Sequence, residues 1–348
     1  MFFVVKGIWL MNAMVCTAPL ALEWQDVTLP PLGPHDVLLN VAQCGICPTD
    51  LRVYLGKSHS AKFPKILGHE AVAQVTAIGS EVVSVKPGQW VVPDGILKCG
   101  TCAACRKGRA NKCQRVRYAS GMYAEQTIVP DTNAYPIHPG TPLRVATFTE
   151  PLACVLRGER MLRIVPGETV LVVGCGPIGL LHVMVAKRFG ARVLVADLKR
   201  ERTDKALALG ADVALDPNQP LKEAVQAETD GYGADAAVIA FGSARLAESA
   251  ASALGFGGRL NIFAGVYPKD VISIDPNLIH YNELMITGSA DHTPIDYAES
   301  LNLIERKMIN VEALVSDVVP LRELEQGFKL VQDQSRFKVM VEVTTALA

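Results

Sequence analysis

Four cysteines crowd into one short stretch, Cys99, Cys102, Cys105 and Cys113, in the spacing C-x2-C-x2-C-x7-C. Four thiolates this close can enclose one tetrahedral Zn2+ and leave it no open position, so the predicted role is structural. Gly100 and Gly108 give the loop the freedom to wrap an ion. A looser set lies outside this lobe. Cys47 is followed by Thr49 and Asp50, His69-Glu70 comes next, and Glu150 stands further along. Singly, these residues have ordinary readings as a core thiol, a hydrogen-bonded loop histidine and surface carboxylates. Together they offer S, N and O donors for a Zn2+ that keeps one position free for substrate. Such an ion acidifies an alcohol hydroxyl during hydride transfer, and Thr49 carries a hydroxyl able to pass the proton on. Asp50 is expected to hold the loop by hydrogen bonds.

A third chemistry is phosphate binding. Gly174, Gly176 and Gly179 fall in the G-x-G-x-x-G spacing directly after the β-branched run 170–173, and a helical pattern over 178–189 follows them. The first glycine permits a tight turn, the second lets a pyrophosphate approach the backbone, and the third allows close helix–strand packing. Free N–H groups at the helix start then hold the phosphates. Asp197 closes a second strand over 193–196, where its carboxylate can accept ribose hydroxyls and repel a 2′-phosphate. This favours NAD, although Lys199 and Arg200 follow closely and could offset that charge. The expected cofactor-binding set is Gly174, Gly176, Pro177, Ile178, Gly179, Asp197 and Arg202.

These residues need two kinds of scaffold. Short apolar runs at 37–41, 71–78 and 90–92, punctuated by Pro and Gly, predict an all-β, barrel-like unit. From about 158 the pattern changes to strand–helix alternation. Helices are predicted at 202–209, 221–229 and 246–254, with strands at 213–215, 236–240 and 259–263. Repeating β-α units imply a doubly wound parallel sheet. Helices near 297–305 and 321–331 precede a last strand, 339–343, which has no β-α partner and is expected to return to the first domain.

The chain has 348 residues, 49% hydrophobic and 20% charged, which fits an ordinary globular protein of about two domains. A net charge of −1 leaves no basic footprint for nucleic acid or an acidic membrane surface. No apolar run reaches the ~20 residues needed to span a bilayer. Residues 1–10 are apolar but lack a charged leader and a cleavage site, so they read as an extension, with the strand pattern starting near Met11. Nine cysteines without a secretory signal favour metal over disulfides, and the cytoplasm is the expected compartment.

Taken together, Gly-Ile-Cys47-Pro-Thr49-Asp50, Gly68-His69-Glu70, the four-cysteine lobe, Glu150-Pro151-Leu152 and Gly174 to Gly179 resemble the zinc-dependent medium-chain alcohol dehydrogenase family. The likeness runs from Met11 to the end and is strongest to the polyol (sorbitol or L-iditol) and threonine dehydrogenase branches. It implies an α/β protein with a β-barrel: a GroES-like catalytic domain interrupted by a Rossmann domain. The expected boundaries are 1–157 for the catalytic domain with its lobe at 99–113, 158–290 for the NAD-binding domain, and 291–348 for the return.

The resemblance also implies Cys47 rather than Cys44 as zinc ligand, His69 and Glu70 as further ligands, and Glu150 as a ligand or the holder of the zinc-bound water. A glutamate at that last place leans toward the polyol branch; Cys154, one turn on, is a weaker candidate ligand. Three departures stand out. Ala73 replaces the usual glycine three residues after Glu70, Arg52 stands where liver-type enzymes carry a relay histidine, and Asp291-His292 occupy the place of a polyol-gripping arginine.

The expected function is oxidation of a secondary alcohol, of a polyol or sugar, to a ketone with NAD and two Zn2+ per chain. The partner is a small-molecule substrate, and the family's edge-to-edge sheet pairing implies a homodimer or homotetramer. The rivals are a threonine-dehydrogenase-like or simple alcohol dehydrogenase activity and, from another class, a non-catalytic NAD-binding redox sensor.

Overall fold

The computed structural model describes residues 4–5, 8–58, 60–333 and 336–344, with the backbone alone at 4, 5, 8 and 9. It divides into two compact units. One comprises Met1–Glu150, Tyr297–Lys307 and Val311–Ala348; the other comprises Pro151–Asp296 and Met308–Asn310.

The first unit is built from mostly antiparallel strands in a four-stranded and a seven-stranded sheet. In the larger sheet, Asp36–Gly45 is central and nearly all buried, as its apolar run requires. One side of it pairs with Glu70–Ile78. Its other side pairs first with Gln126–Pro130 and then with the C-terminal strand Lys338–Glu342. That last strand lies parallel to Val315–Pro320. The core beneath this sheet gathers Ile46, Leu51, Tyr54, Tyr123, Phe328 and Val339. The smaller sheet begins earlier than expected, since Ile8–Ala18 is already strand, with Leu10 opposite Thr28. Leu10 is 53% exposed, so it breaks the apolar-in, polar-out alternation that marks a strand in sequence.

The second unit is a six-stranded parallel sheet. Its spatial order is Val213–Ala214, Arg192–Ala196, Thr169–Val173, Ala234–Ile239, Leu254–Ile262, Met285–Gly288. In chain order this is 3-2-1-4-5-6, the dinucleotide-binding arrangement, whose switch point lies beside the first strand. Val170 to Val173 are at most 3% exposed, because helices cover both faces of a parallel sheet. Among the described residues, no helix is long and apolar enough to cross a membrane.

Candidate active site and nucleotide turn

Strand register brings the first donor set together. Gly45 pairs with Glu70 across two neighbouring strands, so Cys47, two residues past Gly45, and His69, one before Glu70, emerge at the same end. Cys47 then caps the Pro48–Tyr54 helix, its Sγ accepting from the Thr49 N–H at 3.5 Å. One donor atom each from Cys47, His69 and Glu70 lie within 4.8 Å of one another. This spread suits a single bound cation, and the mixed S, N, O set suits zinc.

Behind these donors stands a polar network that sequence reasoning foresaw only in Asp50. Asp50 is 4% exposed; its Oδ1 accepts from the Gly68 N–H at 3.2 Å and lies 3.4 Å from His69 Nδ1. Tyr123 donates its hydroxyl to Asp50 Oδ2 at 3.1 Å. Burial would raise the Asp50 carboxyl, but His69, the Gly68 N–H and the Tyr123 hydroxyl outweigh it and hold it below its ordinary value. Burial disfavours the charged His69, yet Asp50 and Cys47 raise it well above its ordinary value. The surroundings thus attract positive charge to this imidazole, and a bound cation would take the place of the proton.

Lys338 was not anticipated. Its Nζ, buried, pairs with Glu70 Oε2 and donates to the Ile46 carbonyl at 3.3 Å. Desolvation works against its charge, but Glu70, Cys47 and Glu150 raise its pKa. Gly45 makes room for this pair: a Cβ there would sit 2.4 Å from Glu70 Oε2 and 2.7 Å from Lys338 Cε. A lysine opening an otherwise apolar strand was the only signal in the sequence. Glu150 is buried at the start of the Thr149–Leu162 helix, near enough to act on Lys338, but its carboxylate is not among the donors converging with Cys47, His69 and Glu70. Thr49 is exposed.

The four lobe cysteines converge, with their sulfur atoms within 4.8 Å of one another. Backbone N–H groups point at them: Cys102 N to Cys99 Sγ and Cys99 N to Cys113 Sγ at 3.3 Å, and Gln114 N to Cys102 Sγ at 3.4 Å. N–H donation stabilises thiolate, and with the Thr101 backbone leading it draws Cys99 down to about 5. Burial instead pushes Cys105 up to about 12. A ribbon pairing Ile96–Leu97 with Arg117–Tyr118 closes the base of the lobe.

In the second unit each glycine of the nucleotide turn has its own steric reason. Gly174 adopts φ +94°, which favours glycine. A Cβ on Gly176 would meet only Arg202 Nη1, at 4.0 Å, so that face is open to a ligand. A Cβ on Gly179 would lie 1.8 Å from the Gly174 carbonyl oxygen. Gly179→Ala is therefore expected to destabilise the protein by about 2 kcal/mol or more, read from urea unfolding, because backbone rather than a flexible side chain blocks the methyl. Gly176 caps the Pro177–Arg188 helix without a side-chain bond, and Ile178 follows Pro177 in its first turn. The helix start is thus a dipole end ready for an anion.

Asp197 stands beside this turn. Its Oδ2 accepts from Cys175 N at 2.8 Å, its Oδ1 from Lys199 N at 2.9 Å, and Arg202 Nη1 lies 3.8 Å away. Cys175, between the first two glycines, is pushed up to about 12 by burial and by Asp197. Elsewhere in this unit Cys154 Sγ lies 3.8 Å from His292 Nδ1, and Asp291 accepts the His292 N–H at 2.6 Å.

Comparison with known proteins finds two family matches along the chain. The alcohol dehydrogenase GroES-like domain matches residues 33–139, and the zinc-binding dehydrogenase domain matches residues 177–306. A protein named "Probable D-xylulose reductase A" from Emericella nidulans is 31% identical over 338 residues, covering 92% of this chain and 93% of that protein. The chain belongs to the zinc-dependent medium-chain dehydrogenase family. The L-galactonate-5-dehydrogenase of Escherichia coli K12 is 29% identical over 324 residues, covering 92% of this dehydrogenase and 94% of its own length. A zinc-binding dehydrogenase of Sinorhizobium meliloti, solved bound to NADP, superposes with a TM-score of 0.90 at 29% identity over 96% of this chain and 99% of that one. A GroES-like domain, a Rossmann sheet, zinc and a nicotinamide cofactor are thereby features of this enzyme.

Proposed function

We propose that this enzyme oxidises a secondary hydroxyl of a polyol or sugar-derived small molecule to a ketone, with NAD as hydride acceptor and two zinc ions per chain. The observation that carries this reading is the contrast between the donor sets: four sulfurs converge in the lobe, whereas Cys47, His69 and Glu70 converge as three. Four thiolates saturate a tetrahedral ion, and three donors leave a position for substrate. A cation held by those three supplies the Lewis acidity that lowers the pKa of an alcohol hydroxyl. Cys47 and His69 are held for it by the helix cap and by Asp50. Glu70 is held by Lys338, and Glu150, outside the converging three, serves as holder of a water there or as a further ligand that substrate displaces. Thr49, exposed two residues past Cys47, carries the hydroxyl proton outward. The sugar-derived substrates in the relatives' names support a polyhydroxylated substrate.

NADH formation by zinc-replete protein over polyols, hexoses, sugar acids, threonine and simple secondary alcohols tests this. Strong turnover of one polyol or sugar derivative is expected. Turnover confined to threonine would move the enzyme to the amino-acid branch. No turnover, with one zinc per chain, would leave a redox sensor.

Asp197 supports the choice of NAD over NADP, because a carboxylate beside the glycine turn repels a 2′-phosphate, with Arg202 offsetting part of that charge. Asp197→Ala is expected to raise KM for NAD about 10- to 100-fold, the worth of charge-assisted hydrogen bonds, and to lower the NAD/NADP preference in kcat/KM. An unchanged ratio would show that selectivity lies elsewhere. A homodimer or homotetramer joined at the Met285–Gly288 edge strand, which light scattering can weigh, completes the proposal.

A further inference from the structure

Tyr123 touches each segment that delivers a donor to the Cys47, His69 and Glu70 set. Its backbone N–H donates to the Leu67 carbonyl at 2.9 Å, and the neighbouring Met122 N–H donates to the Gly68 carbonyl at 3.0 Å. Those two bonds fasten it to the loop that presents His69. Its ring lies against Gly68, which adopts φ +91° and whose Cβ would sit 2.9 Å from Tyr123 Cδ1. On another side Phe328 meets the ring edge-on at 6.2 Å between centroids. The side chain is 0% exposed.

A phenylalanine would fill this space, so the hydroxyl needs its own explanation. Burying a phenol oxygen is costly unless it is bonded. Here its single proton is shared between Asp50 Oδ2 at 3.1 Å and the Gly45 carbonyl oxygen at 3.2 Å, the carboxylate being the charged acceptor. Asp50 is therefore gripped through both oxygens. Oδ2 is held by Tyr123, while Oδ1 is held by the Gly68 N–H and faces His69 Nδ1. A carboxylate pinned this way cannot rotate. It keeps the imidazole proton on Nδ1 and leaves the Nε2 lone pair for a cation. Burial, then Asp50, Cys44 and Glu70, raise the Tyr123 hydroxyl well above its ordinary value, so it stays a donor.

We propose that Tyr123 is a positioning residue for metal binding: its hydroxyl locks Asp50, and Asp50 fixes the ring and tautomer of His69. The inference rests on the reading of Cys47, His69 and Glu70 as the enzyme's second zinc site. A partner that orients a metal-bound histidine changes metal affinity by about 10- to 100-fold, and Tyr123 acts one bond further out along that chain.

The test is zinc affinity by competition with a chromophoric chelator, alongside the visible spectrum of the Co2+-substituted full chain, for wild type, Tyr123→Phe, Asp50→Asn and the double variant. Tyr123→Phe is expected to weaken the second zinc about 10-fold and shift the cobalt bands, with the lobe zinc retained. On the Asp50→Asn background the same change should add little, because both act through one carboxylate. Equal affinity and an unchanged cobalt spectrum in Tyr123→Phe would overturn the proposal, and so would full additivity in the double variant. If Tyr123→Phe does not fold, 3-fluorotyrosine at position 123, of nearly the same shape and a stronger donor, replaces it; an unaltered zinc affinity would then count against the proposal. Failure of the underlying reading looks different: Cys47→Ser would leave zinc content and cobalt spectrum as in wild type.

Discussion

Cys47→Ser should lower kcat/KM for alcohol oxidation by about 10³-fold or more and reduce the zinc content from about two ions per chain to one. The Cys47 sulfur is the softest of the three converging donors, and a serine hydroxyl at neutral pH replaces neither its charge nor its affinity for zinc. Losing a Lewis acid removes several kcal/mol from a charge-developing transition state, which sets the scale of the effect. NADH binding should survive, because the glycine turn and Asp197 lie in the other unit. The decisive readout is the pair of measurements: zinc by elemental analysis and NADH affinity by fluorescence. Loss of activity with both zinc ions retained would assign the catalytic cation to other donors.

Cys102→Ser should act on stability rather than chemistry. Neither the short helix Ala103–Arg106 nor the 3-10 turn Ala110–Lys112 buries a single residue, so the lobe has no apolar core to hold it once the thiolates lose their ion. Structural zinc contributes of the order of 10 kcal/mol of binding free energy to small metal-dependent folds, all of it available to local folding. The expected result is cleavage by protease between Cys99 and Cys113, with far-UV circular dichroism nearly unchanged because both sheets persist. The same cleavage should follow prolonged chelation of the wild type. A resistant lobe in the variant would mean that the ribbon of Ile96–Leu97 with Arg117–Tyr118 suffices without metal.

What could be read from the sequence was local. The glycine turn was legible because each glycine answers one steric demand within a few residues: φ at Gly174, open space at Gly176 and backbone contact at Gly179. The cysteine lobe was legible because its ligands are close along the chain. Cys47, His69 and Glu70 could be grouped by donor type, but the choice of Cys47 over Cys44 needed a family resemblance, since their meeting depends on the pairing of Gly45 with Glu70. Lys338 and Tyr123 carried no such signal. They reach Glu70 and Asp50 across 268 and 73 residues, and contacts that distant leave no spacing to recognise. Ile8 to Leu10 were missed as strand for another reason: an exposed Leu10 hides the alternation.

The C-terminal strand Lys338–Glu342 has a consequence for how this protein comes into being. It lies between Asp36–Gly45 and Val315–Pro320, so its slot in the sheet stands open until synthesis has passed Glu342. On the ribosome, Cys47, His69 and Glu70 emerge early and wait. The parallel sheet, drawn from the nearly unbroken stretch Pro151–Asp296, can fold before the first unit is whole. Until Lys338 arrives, Glu70 lacks its buried counter-charge, and two strands of the larger sheet show unpaired edges of the kind that invite aggregation. A nascent chain that stalls before Lys338 would hold a finished nucleotide fold and an unfinished donor set. A strand made late completes a donor set made early.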